Sequence, residues 1–324
     1  MTKQTSKKLS NKVIVVTGAS SGAGKAISLQ LASEGATLVL AARSQKALEE
    51  VAAECRDFGA SAIAIPTDVR FSDSMQELAR AANKFGGRID AWINNAGVMA
   101  AGSLDKIPAE IGEEVIKTNL IGYMNGAYAV LPFFKQQGFG LLINNISVGG
   151  WFPVPYATAY SASKFGLRGF SQSLKGELDV YPNIHVCDLY PAFLDTPGIQ
   201  HAANYTGAVL KPAPPVYDPR KLAREVVSLV QHPKSSVTIG AAAAFLHLAS
   251  SLFPSLTRTI TGGVIRNYLK KANTIATTSG NVLHPVAYGT SIDGGWKKTS
   301  LSKRNLAGAL LMTVSLGLLL FQKK

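Results

Sequence analysis

The feature that most constrains the fold is a strand, a glycine-rich turn and a helix near the start of the chain. Residues 12–16 are a short apolar run of strand length, and residues 17–24 (TGASSGAG) follow at once. Residues 26–32 then have helical apolar spacing, and Gly35 can end that helix. Turns without side chains let a phosphate approach backbone N–H groups at the positive end of a helix dipole. This order favours a nucleotide site, whereas a glycine trio alone would indicate only a tight turn.

Strand-like and helix-like segments go on alternating as far as residue 240. The predicted strands are 37–42, 61–65, 89–93, 141–146, 184–189 and 237–240, and the predicted helices are 45–55, 72–85, 107–134, 160–178 and 218–230. This alternation predicts an α/β fold with a doubly wound parallel sheet, which binds ligands at the carboxyl ends of its strands. Residues 192–217 are rich in Pro, Ala and Gly without a period, which predicts a lid.

Three polar residues follow one predicted strand closely. Ser147 comes directly after the strand at 141–146, and Tyr160 and Lys164 lie four apart, on one face of the next helix. A phenol titrates near ~10 unless a neighbouring cation favours the phenolate, and a serine hydroxyl can hold a substrate oxygen beside it. The three groups suit hydride chemistry at a carbonyl. Taken alone, Tyr-x-x-x-Lys would be better interpreted as an accidental surface pair, with Ser147 a turn residue.

Two other positions leave alternatives open. Arg43 ends the second strand, where an acid would accept the ribose hydroxyls of NAD; an arginine can instead pair with the 2′-phosphate of NADP, so NADP(H) is favoured over a solvated arginine. Asn119 lies in a helix among apolar residues, where an unpartnered amide is costly. It either bonds a helix carbonyl in the core or marks a distortion that holds a relay water. Asn94 and Asn95 are expected to brace backbone at a strand end.

Composition and charge exclude several classes of function. Cys55 and Cys187 are far apart, and the five histidines lack ligand spacing, so neither a disulfide framework nor a metal site is expected. The net charge of +13 belongs to the two ends: residues 241–324 carry ten Lys/Arg against one acid, and residues 13–240 are neutral. No basic module interleaved with aromatics occurs, so no nucleic acid is expected, and an anionic membrane surface is the better partner.

The C-terminal part is predicted to meet a membrane. Residues 241–272 are apolar, basic and helix-prone; they would lie on a membrane or, equally, pack on the body or at a subunit interface. Residues 273–295 look like an irregular linker. Residues 306–321 are sixteen uncharged residues between basic pairs, about 24 Å of helix against a hydrocarbon core of ~30 Å. They are predicted to be an anchor that leaves the basic body facing the cytoplasm.

The predicted organisation therefore has four parts. They are a basic arm at 1–11 without a secretory signal, a catalytic domain at 12–240, a helical extension and linker at 241–300, and a membrane anchor at 301–324.

Taken together, the motifs resemble the short-chain dehydrogenase/reductase family in its compact single-domain form, over roughly residues 10–240. They are Thr17-Gly18-x-x-x-Gly22-x-Gly24, Asp68-Val69, Asn94-Asn95-Ala96-Gly97, Asn119, Ser147, Tyr160-x-x-x-Lys164, and Pro191 with Thr196. The resemblance implies a Rossmann fold and hydride transfer between a nicotinamide and an alcohol or carbonyl. Ala192 departs from it, because the family usually has glycine after the proline.

The resemblance also implies a role for each matching residue. Tyr160 would exchange the proton, Ser147 would orient the substrate oxygen, and Lys164 would lower the pKa of the tyrosine and bind the nicotinamide ribose. Asn119 would hold the relay water, which completes the catalytic set. The implied cofactor-binding residues are Gly18, Ser20, Ser21, Gly22, Gly24, Arg43, Asp68, Val69, Asn95, Ala96, Gly97, Tyr160, Lys164, Pro191 and Thr196. Of these, Asp68 would meet the adenine and Thr196 the carboxamide.

The leading hypothesis is an NADP(H)-dependent oxidoreductase acting on a small-molecule carbonyl or alcohol and held at a membrane. Trp151, Phe152 and Phe193 suggest an apolar substrate. The alternative is a sensor or scaffold that binds NADP(H) without turnover, although such a protein would not need Tyr160 together with Lys164. A homo-oligomer is a further expectation, because the helices around Asn119 and Tyr160 resemble those that pair subunits in this family.

Overall fold

The structure is a computed structural model that describes residues 8–297. Its strands are β1 (Val13–Thr17), β2 (Thr37–Ala42), β3 (Ala62–Pro66), β4 (Ala91–Asn94), β5 (Ala100–Ala101), β6 (Gly140–Asn145), β7 (Ile184–Pro191), β8 (Ala203–Asn204) and β9 (Ser236–Ile239). Its α-helices are α1 (Gly22–Ser33), α2 (Gln45–Asp57), α3 (Ser72–Gly86), α4 (Ala109–Ile116), α5 (Gly122–Gln137), α6 (Thr158–Leu178), α7 (Pro219–Gln231), α8 (Ala241–Leu252) and α9 (Pro254–Lys271).

Seven parallel strands form one sheet in the order β3-β2-β1-β4-β6-β7-β9. All five residues of β1 are buried, because helices cover both faces of the sheet and a central parallel strand meets apolar side chains on each side. Two apolar clusters fill these layers, one containing Ile27, Leu31 and Val226, the other Leu78, Trp92 and Phe134. The predicted doubly wound α/β sheet is confirmed. A short pair, β5 with β8, stands apart from it.

The long helix predicted at 107–134 is interrupted. A π-helical turn, Lys117–Ile121, separates α4 from α5, and Asn119 lies in it. Such a turn carries one extra residue and is frequent at functional sites. The helix predicted at 218–230, by contrast, forms as α7, and Asp218 caps it: its carboxylate accepts the Arg220 N–H at 2.9 Å.

The C-terminal part packs back onto the sheet domain. On α8 and α9 only Ala243 and Gly262 are fully buried, so most of both helices is exposed. The predicted linker then crosses the body; we call residues 273–297 the strap. Val282 of the strap is completely buried among Val98, Ile111 and other apolar residues. At the other end of the chain Leu9, within the predicted basic arm, is buried in the main core.

Two expectations concern membranes and metals. Among residues 8–297, none of the helices is both apolar enough and long enough to cross a bilayer. The anchor predicted at 306–321 lies outside the described residues. Within the described part of the chain Cys55 and Cys187 are free and buried, and no group of three metal-ligating side chains occurs.

Candidate active site

One cavity of about 400 Å³ lies at the carboxyl edge of the sheet, where the parallel strands end. Most of the residues predicted from the sequence line it: Gly18, Ser20, Ser21, Gly22, Gly24, Arg43, Asp68, Val69, Asn95, Ala96, Gly97, Ser147, Tyr160, Lys164, Pro191 and Thr196. Of the predicted set, Asn119 alone does not line the cavity and lies behind it. Residues separated by up to about 180 positions in the sequence thus share a single wall because β1, β2, β4, β6 and β7 all end at this edge.

The glycine-rich turn forms the floor of one half of the cavity. Helix α1 begins at Gly22, directly after the turn, so its first N–H groups lack intrahelical partners. A side chain at Gly24 would collide with the carbonyl oxygen of Gly18, which explains why this position has none. The turn is held from below by Asn95, whose amide donates to the Thr17 and Gly18 carbonyls at 3.0 and 3.3 Å. The arrangement suits an anion at the start of α1.

The predicted bracing by asparagines continues across the sheet. The Asn145 amide donates to Asn95 Oδ1 at 2.9 Å, which joins the end of β6 to the end of β4. Asn94 donates to the Tyr123 carbonyl at 3.1 Å and to Asn144 Oδ1 at 3.1 Å. These bonds fix the positions of the strand ends that form the cavity.

The catalytic residues predicted on α6 lie beside Ser147. Tyr160 lies close enough to Ser147 for the serine side chain to favour the phenolate. Lys164 Nζ lies 5.8 Å from the centre of the Tyr160 ring and donates to the Asn145 carbonyl at 3.2 Å. The phenol, the hydroxyl and the amine therefore meet on one side of the cavity. A substrate oxygen bound there would have two hydroxyl partners.

Burial controls the charges of this group. Desolvation raises the pKa of Tyr160 above its usual value, although the Ser147 side chain acts in the opposite direction. Desolvation also lowers the pKa of Lys164 to about 7. The sequence-based expectation that Lys164 lowers the pKa of Tyr160 is thus outweighed in this structure, because burial disfavours the charged forms of both groups. Tyr160 is held protonated across neutral pH, which suits a proton donor.

Ser147 has an unusual backbone. Its φ is +90° and its ψ is 157°, a combination that is costly for any residue with a Cβ. Its hydroxyl accepts the Gly149 N–H at 3.3 Å. The turn Val148–Gly150 begins directly after Ser147, so the strained backbone of Ser147 sets the direction of its side chain.

Asn119 clamps the loop that follows β4. Its Oδ1 accepts the Val98 N–H at 2.8 Å, and its Nδ2 donates to the Val98 carbonyl at 2.8 Å and to Ser163 Oγ at 3.2 Å. The side chain is fully buried and fully bonded. The Asn119 amide therefore bonds the loop after β4 and Ser163, and does not bond a carbonyl of its own helix. These bonds connect the cavity wall to α6.

Arg43 and Asp68 occupy the far end of the cavity, and both are already engaged. Arg43 donates to backbone carbonyls of the strap, and burial lowers its pKa. Burial acts to raise the pKa of Asp68, but its hydrogen bonds and ion pair with Arg70 lower it overall. Thr196, at the opposite end, has its carbonyl bonded by Trp296 Nε1 at 3.0 Å.

Three unpartnered atoms indicate what the cavity takes. In the part of the chain that the structure describes, the buried side-chain polar atoms without a hydrogen-bond partner are Thr118 Oγ1, Asn145 Oδ1 and Asn281 Oδ1. All three residues line this cavity. Such atoms are costly unless a ligand or water satisfies them. The cavity therefore fits a long polar ligand, and the residues present fit a dinucleotide.

Sequence reasoning missed several residues of the site. Tyr123 Oη donates to the Asn145 carbonyl at 3.0 Å, and its ring lies 5.0 Å from Lys164 Nζ. Both residues had signals, since Asn145 ends a predicted strand and Tyr123 stands four residues after Asn119. Trp151, expected near the substrate, lies outside the cavity wall and stacks on His247 and Arg168. Ala192 has no positive φ, so the missing glycine there has no conformational cost.

Comparison with known protein families finds one match. The family model described as short chain dehydrogenase matches residues 12–205. The uncharacterized oxidoreductase YxnA of Bacillus subtilis is 33% identical over 261 residues, which are 79% of this chain and 73% of that protein. The ketoacyl reductase HetN of Nostoc is 30% identical over 231 residues, 71% of this chain and 79% of its own length.

Solved structures resemble the chain in the same region. An alcohol dehydrogenase from the archaeon Thermococcus sibiricus, complexed with 5-hydroxy-NADP, is 28% identical with a TM-score of 0.62, covering 70% of this chain and 95% of that one. A metagenomic short-chain oxidoreductase in complex with NADP is 31% identical with a TM-score of 0.60, covering 72% and 97%. The likeness in both comparisons covers most of the sheet domain.

Proposed function

Because this chain belongs to the short-chain dehydrogenase family of oxidoreductases, we propose that it transfers a hydride between NADP(H) and a carbonyl or alcohol. The observation that carries the proposal is the meeting of Tyr160, Ser147 and Lys164 on one wall of the cavity that the glycine turn also lines. Support for NADP(H) comes from Arg43 at the end of β2 and from the NADP ligands of two similar structures. The unpartnered polar atoms of the cavity are consistent with a dinucleotide.

Each residue of the proposed set acts at a defined atom. The cofactor, when bound, supplies or accepts the hydride. In reduction Tyr160 Oη gives its proton to the substrate oxygen, which Ser147 Oγ holds by a hydrogen bond. Lys164 Nζ has N–H groups beyond the one bonded to Asn145 and would hold the ribose hydroxyls. In this proposal Asn119 acts as a positioning residue for the loop around Val98, and it would hold a relay water only through its backbone.

The substrate end of the cavity is apolar. Phe152, Val154, Phe193, Leu194 and Ile199 line it beside the catalytic group. This lining supports an apolar carbonyl or alcohol as substrate, since burying apolar surface would supply the binding energy. Much of the lining belongs to the predicted lid at 192–217, which is mostly irregular chain apart from a short turn, Pro197–Ile199, and strand β8.

Substitution of Tyr160 by Phe tests the catalytic role. We expect Tyr160→Phe to keep NADPH binding and to lose about 10³-fold in turnover with the best substrate from a screen of aliphatic, aromatic and steroid-like carbonyls. The matched control is Tyr128→Phe on the exposed face of α5, which should keep wild-type turnover. Because the Tyr160 pKa is raised, loss of the phenol proton should lower the wild-type reduction rate only in strongly alkaline solution, and a change near pH 7 would report the titration of Lys164 instead.

The outcome separates the enzyme from the sensor that the sequence left open. NADPH consumption and product formation are followed for each variant. Turnover that survives Tyr160→Phe would exclude the chemistry proposed here, and tight NADPH binding with no turnover on any carbonyl would favour a sensor.

Membrane association through the C-terminus stays a second proposal. Its support is the charge and exposure of α8 and α9: several large apolar side chains of these helices are exposed, and residues 241–292 contain no acid. The predicted anchor and cytoplasm-facing body rest on 306–321 and its flanking basic pairs alone. The homo-oligomer also remains a prediction, supported by the exposed Ile121 and Tyr128 on one helix region and Phe165 on α6.

A further inference from the structure

The strap runs along the mouth of the cavity and forms part of its wall. Asn281, Pro285, Val286, Tyr288, Gly289 and Thr290 of the strap line the same cavity as the glycine turn and the catalytic residues. Residue 273 lies far beyond residue 205, where the match to the family model ends. The strap therefore lies outside the segment that the family model matches.

At one end the strap holds the arginine proposed for the 2′-phosphate. Arg43 Nη1 donates to the carbonyls of Val282 and Leu283 at 3.2 and 3.3 Å, and Nη2 donates to the Asn281 carbonyl. These three carbonyls fix the plane of the Arg43 guanidinium. A guanidinium has five N–H groups, so it can donate to further acceptors at the same time. Among the described residues, the Nε–H of Arg43 has no hydrogen-bond partner. The edge of the guanidinium that includes Nε can therefore bind an anion.

At the other end the strap closes on the start of α1 and on the segment after β7. The Gly22 N–H donates to the Ser291 carbonyl at 2.9 Å. The Asp195 carboxylate accepts three strap N–H groups, from Gly294 at 3.1 Å, Trp296 at 2.8 Å and Lys297 at 3.1 Å. The strap is thus fastened on both sides of the cavity and crosses it between the two attachments.

The middle of the strap also fits closely against the body. Gly289 has a φ of +69°, and a Cβ there would collide with the ring of His201, whose Nε2 lies 3.0 Å from the Tyr288 carbonyl oxygen. The Asn281 N–H donates to the His201 carbonyl at 2.8 Å. An outer attachment, away from the cavity, is the two-bond ion pair of Arg220 with Asp293, at 2.7 and 2.8 Å.

We infer that the strap is the outer wall of the cofactor site: its carbonyls at 281–283 orient Arg43 for the 2′-phosphate, and the dinucleotide enters and leaves when the strap lifts. The inference rests on the proposed function. It follows from the strap residues that line the cavity together with the glycine turn, and from the attachments of the strap on both sides of that cavity.

Two substitutions loosen the two ends of the strap separately. Val282→Ala removes buried contacts next to the carbonyls that hold Arg43, and Val282 itself does not line the cavity. Asp293→Asn weakens the exposed ion pair with Arg220 and leaves the core intact. The matched controls are Val226→Ala, equally buried on α7, and Asp105→Asn, an exposed acid that pairs with Lys106 instead of a strap partner.

The measurement is NADPH and NADH dissociation by stopped-flow, with equilibrium affinities for both. We expect Val282→Ala to speed NADPH release about tenfold and to lower the NADPH-over-NADH preference about fivefold. Asp293→Asn should speed release of both cofactors about two- to threefold and leave the preference unchanged, since Arg43 is held at the other end. Hydrogen exchange in peptides covering 281–291 should slow when NADPH is added, and both control variants should match wild type.

Each other result decides against the inference or against its premise. Tighter NADPH binding by Val282→Ala would show that the strap competes with the cofactor, and unchanged release in both strap variants would show that it does not cover the site. Either result overturns the inference while leaving the proposed function in place. A wild-type protein that binds neither dinucleotide would instead overturn the proposed function itself.

Discussion

At the scale of single residues, Lys164 is the costliest group in the site. It is buried at 4% exposure, and desolvation holds its pKa near 7. Its bond to the Asn145 carbonyl is shared with Tyr123 Oη, so that acceptor keeps a partner without the lysine. Lys164 therefore lowers the free energy of unfolding, and this cost is set against the catalytic role proposed for it, as is common at functional sites.

Replacing this lysine should stabilise the protein and stop the reaction. The unfolded lysine keeps its proton up to pH 10.5 and the folded one only up to about 7, so the destabilisation is greatest below pH 7 and shrinks as pH rises. We expect Lys164→Met to raise the Tm on the order of 5 °C at pH 6.5 and clearly less at pH 9, with turnover lost.

Thermal unfolding at the two pH values measures the effect. The control is Lys106→Met, since the Lys106 side chain is 71% exposed and should give no gain at either pH. A loss of stability at pH 6.5, or an equal gain at both pH values, would contradict the burial argument.

At the scale of secondary-structure elements, the π turn between α4 and α5 is the part that locates the loop after β4. The extra residue places Asn119 where its amide meets both backbone groups of Val98 as well as Ser163. The turn, the loop and α6 are thereby joined at one side chain.

Removing the Asn119 side chain should lower the free energy of unfolding far more than removing the comparable side chain of Asn125. Asn119→Ala leaves the buried N–H and carbonyl of Val98 without partners, which we expect to lower the free energy of unfolding by ~2–4 kcal/mol. Asn125→Ala, on α5, removes one bond to the Val69 carbonyl and should cost about 1 kcal/mol. Urea unfolding of both variants gives the comparison, and equal costs would count against the clamp.

Whether an element could be predicted from the sequence depends on whether side chains or backbone groups make its contacts. The strands and α7 were predictable because their apolar period and the Asp218 cap are properties of side chains. The π turn was not predictable, because its apolar residues have the spacing of an ordinary helix. The strap was taken for a linker because it binds Arg43 and Gly22 through backbone carbonyls, which every residue possesses. Its side-chain contacts, among them those of Val282, Ile292 and Asp293, have no period that a sequence could reveal.

At the scale of the whole molecule, the charge and the exposed apolar surface coincide on α8 and α9. The exposed apolar residues there are Phe245, Leu248, Leu252, Phe253, Leu256 and Val264, and the basic ones are Arg258, Arg266, Lys270 and Lys271. The loop around Trp151 and Phe152 packs under α8, and Ser250 Oγ donates to the Trp151 carbonyl at 3.2 Å. A bilayer bound to this surface would lie close to the apolar end of the cavity.

Vesicle binding by the full chain tests that arrangement. We expect binding to vesicles with anionic lipids that weakens with salt, and a loss of about tenfold for the double variant Leu248→Asn with Leu252→Asn. Leu104→Asn with Val180→Asn is the control pair, equally exposed but on other surfaces. Salt-insensitive binding that the double variant retains would assign the contact to another part of the chain.

The strap also sets an order of events during synthesis. Gly22 and Arg43 are translated early, whereas the Ser291 and Asn281 carbonyls that bond them come some 240 to 270 residues later. At ~5–20 residues per second, the ribosome needs roughly 10–50 s between the two. A nascent chain thus has its glycine turn and Tyr160 long before it has the strap. Premature termination anywhere between residues 240 and 280 would release a polypeptide with a complete sheet and an open groove.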